Sequence, residues 1–109
     1  MKRICTYLFF CVTVSTLLSA APFSVKTEAF LELHCFDCHG DGAAKGGLDL
    51  EKLGRDLSDA AVFAKWERIF DRVAAGEMPP AKVKDRPAAK ELTTFCAALG
   101  PRLGTSHAA

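Results

Sequence analysis

Hydrophobic positions along the chain fall into separate runs, and their spacing differs from one run to the next. The first is the largely apolar run from Ile4 to Leu18. The second places Val25, Ala29, Phe30 and Leu33 on one face, which predicts a helix over residues 24–36. The third is the clearest: Val62, Phe63, Trp66, Ile69, Phe70 and Val73 recur as a broad stripe, with Lys65, Glu67, Arg68, Asp71 and Arg72 between them. That pattern predicts an amphipathic helix over 59–75. Ser58 or Asp59 suits its N-cap, Gly76 suits a left-handed C-terminal cap, and Pro79 and Pro80 forbid continuation. In the fourth run Leu92, Phe95, Cys96 and Leu99 form the face of a last helix. It starts near Pro87, which suits a first helical position, and ends at Gly100-Pro101. Between the first and second of these helices, Gly40, Gly42, Gly46 and Gly47 demand a loop. Leu48, Leu50 and Leu53 then predict a short turn or helix against the core. No strand alternation of useful length occurs, so the expected fold is all-α.

The first run belongs to a different category. Lys2 and Arg3 are the only charges in the first 25 residues, and Ser19, Ala20 and Ala21 close the apolar stretch. A basic start, a short apolar run and a small-residue exit describe a secretory signal peptide over residues 1–21, cut after Ala20 or Ala21. The run is shorter than the roughly 20 residues that a membrane-spanning helix needs. A membrane is therefore a partner only if the segment stays uncleaved. Residues 22–109 remain as one domain, with a tail expected to fray from about 102.

Removing the leader leaves 12 basic against 13 acidic residues, a net charge near −1. No strong field results, and nucleic acid is not indicated as a partner. Three cysteines stay: Cys35, Cys38 and Cys96. Export permits disulfides, but an odd count leaves at least one sulfur with another role. A chain of this size also buries a thin core, for which a bound group is a common remedy.

That group is suggested by Cys35-Phe36-Asp37-Cys38-His39, the C-x-x-C-H spacing of covalent haem attachment. Two thiols three positions apart can bond to the two vinyl groups of one macrocycle edge, and the next residue sets an imidazole under the iron. Export agrees with this, because a c-type haem is assembled in an oxidising extracytoplasmic compartment. A redox dithiol, a zinc site and a plain disulfide are the rival readings of these residues. The first lacks its βαβ context, the second lacks a clear fourth ligand, and the third closes a very small loop.

Electron-transfer haems take a second histidine or a methionine as the other axial ligand. With Met1 lost, Met78 is the one remaining methionine, and it lies in Gly76-Glu77-Met78-Pro79-Pro80, where prolines restrict the backbone. His34 is tied to the Cys35 side, and His107, in the tail, is the alternative ligand. Trp66 reads equally as a core aromatic and as a residue against the haem, donating its indole N–H to a propionate. Lys45, Arg55, Lys82 and Lys84 are candidate partners for propionates or proteins, and Cys96 reads as an inert thiol on a helix face.

Residues 30–80 resemble a class I cytochrome c domain, and most closely the planctomycete-type cytochrome c domain. The matching positions are Phe30-Leu31, the Cys35-to-Gly40 motif, Gly46-Gly47-Leu48-Asp49-Leu50, Trp66 and Gly76 to Pro80. The resemblance implies a small domain of three to four helices around one covalently bound haem c and its iron, with residues 24–36 crossing 87–99. It also implies one-electron transfer with His39 and Met78 on the iron, rather than enzymatic turnover, through transient contacts with redox partner proteins in the periplasm or another extracytoplasmic space. No small-molecule substrate is expected. A haem-based sensor or a peroxidase-like enzyme, in which Met78 leaves the iron, is the alternative.

Overall fold

The computed structural model describes residues 22–104, so the proposed leader and His107 lie outside the described residues. Helices α1 (Val25–His34), α2 (Phe36–His39), α3 (Ala60–Ala74) and α4 (Ala89–Leu99) are joined by loops and by 3₁₀ turns at Lys45–Gly47 and Gly100–Leu103. Among the described residues there is no strand, and the fold is a small all-α domain, as the sequence predicts.

Local chemistry explains the helix ends. Ser24 Oγ accepts from the Thr27 backbone N–H at 3.1 Å, which starts α1. Asp59 accepts from the Ala61 and Val62 N–H groups at 2.9 and 3.2 Å, which starts α3. At the other end of α3, Gly76 has φ +75, as the sequence predicts for a left-handed cap. The Gly76 N–H returns to Val73 O at 3.0 Å and the Glu77 N–H to Arg72 O at 2.9 Å, a complete Schellman closure. The last helix begins two residues later than Pro87 suggests. Glu91 reaches back to the Ala88 N–H at 2.7 Å and sets the start there.

The α3 stripe is buried as its period requires, with Trp66, Phe70 and Val73 in the core and Val62, Phe63 and Ile69 against its edge. The first helix is different. Its expected inner face of Val25, Ala29, Phe30 and Leu33 contributes only Phe30 to the core; Val25 is 86% exposed and Leu33 69%. The buried face is Thr27, Phe30 and Leu31 instead. Thr27 tolerates burial because its hydroxyl is paired with Ser24 Oγ at 2.8 Å, so no polar group is stranded. Against this face lies α4, with the Phe30 and Phe95 rings stacked at 4.4 Å. The terminal segments therefore pack on each other, as the resemblance implies.

The described residues continue past Leu99 to Gly104. The chain turns through Gly100–Leu103, Leu103 is buried, and Arg102 donates to Pro22 O at 3.1 Å. Pro101 starts this turn without cost, since its missing N–H lies in the first turn.

Candidate haem-attachment site

The C-x-x-C-H motif is built where α1 stops. The Cys35 N–H still bonds to Leu31 O at 2.9 Å, closing α1, and Cys35 O accepts from the His39 N–H at 2.9 Å as the next helix begins. One short helix therefore brings Cys35, Cys38 and His39 together, all half-buried. The three described cysteines are free thiols, so Cys35 and Cys38 are not joined to each other. Burial, and then the neighbouring Cys38, pushes the Cys35 thiol up to about 12. A redox-active dithiol needs the opposite shift, toward a stable thiolate.

Gly40 follows directly and has no room for a side chain. A Cβ there would meet the Phe36 ring at 3.0 Å. The close approach lets the backbone turn away so that the Leu50 N–H reaches His39 O at 2.6 Å. It also brings the carbonyl of Leu48 to His39 Nδ1 at 3.3 Å. A carbonyl only accepts, so Nδ1 carries the proton and, in the neutral ring, Nε2 is left as a bare lone pair. Sequence reasoning cannot find this contact, because its acceptor is backbone.

Met78 lies at the far end of α3. Its N–H bonds to Arg72 O at 3.2 Å, beyond the Schellman closure, and its side chain packs against the same buried cluster that Cys35 touches. The Met78–Pro79 bond is cis. Glu77, beside it, pairs with Arg72 at 3.2 Å.

Two sequence-level assignments change. The Trp66 indole N–H donates to Gly54 O at 2.8 Å with the ring fully buried, so it has no donor for a propionate and offers only its apolar ring. Arg55 is similarly committed. Its guanidinium pairs with both carboxylate oxygens of Glu28 at 3.0 and 3.2 Å, donates to Leu50 O and Leu53 O, and lies over the Trp66 ring at 5.0 Å. It ties the loop after the site to α1 and is no free cation for a haem or a partner. Lys45, Lys82 and Lys84 are exposed. Cys96 is half-buried against the core, where burial raises its pKa, in keeping with an inert thiol.

Residues 35–82 match the family model for planctomycete cytochrome C. The match supports a planctomycete-type cytochrome c domain over this span. The matched span holds the attachment motif, α3 and the Met78 loop, while α1 and α4 lie outside it. No curated protein and no solved structure matches the chain. A cytochrome c domain implies covalently bound haem c with its iron. The residues fit that group: two free thiols on one turn, an imidazole with Nε2 unengaged, a thioether, and half-buried apolar side chains such as Leu48, Phe63 and Ile69 around the core. The zinc reading fits less well, because among the described residues no three His, Cys, Asp or Glu side chains gather as a metal site. No described helix is long and apolar enough to cross a membrane.

Proposed function

We propose that this chain is an exported monohaem electron carrier. Cys35 and Cys38 would hold the haem through thioether bonds, and His39 Nε2 and Met78 Sδ would ligate its iron. The observation that carries the reading is the His39–Leu48 contact. By fixing the proton on Nδ1, the Leu48 carbonyl orients the ring and raises the basicity of the other nitrogen, as such outer contacts do for ligating histidines.

Bound iron supplies the one-electron chemistry, and methionine as its second ligand favours the reduced state relative to a second histidine. The chain's own residues half-bury the site. The apolar core below α3 backs it, and the Schellman closure with the Met78 N–H bond holds the thioether loop to the helix end. No acid–base pair for turnover stands beside Met78, since Glu77 is engaged by Arg72. Redox proteins meet such a carrier through a small transient contact, and a leader over residues 1–21 delivers it to the periplasm or another extracytoplasmic compartment.

A pyridine haemochrome spectrum with the intact mass of the exported protein tests the attachment. One haem added to a chain beginning at Ala21 or Pro22 is the expected result, and a mass without haem defeats the reading. Carbon monoxide tests the ligation: the reduced carrier should not bind it at neutral pH, whereas ready binding favours a sensor or peroxidase.

A further inference from the structure

Residues 40–47 separate His39 from the Leu48 carbonyl that meets its ring, and they do little to hold that carbonyl in place. Their backbone bonds are local: the Ala43 N–H reaches Gly40 O at 2.8 Å, and the Gly47 N–H reaches Ala44 O at 2.9 Å. Gly42, Gly46 and Gly47 all have positive φ, and a Cβ at any of them would meet nothing within 4 Å. Glycines in open space add freedom rather than restraint. The Leu48 carbonyl must therefore be positioned from its other side.

On that side residues 49–53 form a compact turn. Asp49 Oδ1 accepts from the Glu51 N–H at 3.1 Å, the Leu53 N–H bonds to Asp49 O at 3.0 Å, and Leu50 is 1% exposed. Leu50 is gripped at both ends. Its N–H donates to His39 O at 2.6 Å, and its carbonyl accepts from Arg55 Nη1 at 2.7 Å. The same guanidinium nitrogen donates to Leu53 O. The rest of the Arg55 head is fixed from α1, where Glu28 accepts from Nε at 3.0 Å and from Nη2 at 3.2 Å. A planar guanidinium fits this two-pronged pairing, and an ammonium does not. The Arg55 side chain is 23% exposed, so water competes only weakly for the pair. Helix α1 thus holds Arg55, Arg55 holds the turn, and the turn carries Leu48 to His39.

We propose that Arg55, braced by Glu28, is a positioning residue for His39: by gripping the 49–53 turn it keeps the Leu48 carbonyl on Nδ1–H and so sets the donor strength of Nε2 toward iron. The inference deepens the carrier reading and rests on it only for His39 as the iron ligand. A carbonyl held on Nδ1–H makes the ring a stronger donor. A stronger donor favours ferric iron, so loosening the brace raises the reduction potential.

The test uses the haem-loaded exported protein with ¹⁵N-labelled histidine. Arg55→Lys and Glu28→Asp keep every charge while breaking the two-pronged geometry, so a changed potential reads the hydrogen bond rather than a lost charge. Both should move the His39 Nδ1–H resonance of the reduced protein upfield and raise the potential. Phe95→Ala, which loosens the α1–α4 crossing instead, should move neither. An unmoved resonance in the two brace variants overturns the proposal, even if the potential changes, because the effect then bypasses His39. Equal movement in Phe95→Ala overturns it as well, since that marks general loosening. His39 ring C–H signals without the large haem ring-current displacement of an iron ligand would defeat the carrier reading alone, because the Nδ1–H comparison among variants still stands.

Discussion

Phe30 of α1 and Phe95 of α4 stack at 4.4 Å with planes 26° apart, and this pair joins the two ends of the chain across the core. Both rings are buried. Phe95→Ala should cost about 3–5 kcal/mol, the usual range for removing a buried aromatic ring. Denaturant unfolding of the haem-loaded protein measures it, and a loss below about 1 kcal/mol would show that the helix crossing carries little of the stability.

Arg55 serves Glu28, two loop carbonyls and the Trp66 ring at once. A lysine keeps the charge but loses the planar fork, so Arg55→Lys is not a conservative change. It should cost about 1–3 kcal/mol, mostly from carbonyls left without a donor. Thermal unfolding at two salt concentrations separates this from a simple ion pair, whose worth would fall with salt.

Met78→Ala should leave the haem covalently attached while removing the weak red-end absorption of ferric iron–sulfur ligation. The potential should fall, and reduced protein should gain carbon monoxide binding. An unchanged ferric spectrum would pass the ligand role to another residue, with His107 first.

Loss of both anchoring thiols should be more severe. Cys35→Ala with Cys38→Ala, expressed with haem-maturation machinery, should yield little folded protein, since the attached group completes a thin core. A stable haem-free double variant with intact helical circular dichroism would show that the apolar cluster around Trp66 and Phe70 suffices alone.

Glu91 gives a pH signature. The Ala88 N–H, and then His34, hold its carboxyl below the ordinary value of 4.5. A lowered folded-state pKa means that its contribution is present above 4.5 and is lost as pH falls through the folded value. The difference in Tm between wild type and Glu91→Gln should therefore shrink from about pH 6 to about pH 3. A constant difference would show that the carboxylate charge is not what α4 depends on.

The sequence by itself determined the helices, the stops and the chemistry-bearing motif. The α3 stripe has one strongly periodic solution, Gly76 permits a positive φ at low cost, and two thiols with a histidine are adjacent in the chain. Each of these is local, so spacing alone carries it. The Met78 loop was legible for the same reason, as the segment after a forced helix end.

Tertiary structure decided what local pattern leaves degenerate. On α1 the stripe Val25–Ala29–Leu33 and the face Thr27–Phe30–Leu31 are both one-sided, and only the position of α4 selects the second. Thr27 can be buried on that face because Ser24 satisfies its hydroxyl. The proton on His39 depends on a carbonyl brought back by the loop, and backbone acceptors leave no mark in a sequence. The Trp66 indole N–H and the Arg55 guanidinium are not free donors because Gly54 and Glu28, 12 and 27 residues away, reach them first. Those choices belong to three-dimensional proximity, where hydrogen-bonding groups compete for one another and helix faces for the core.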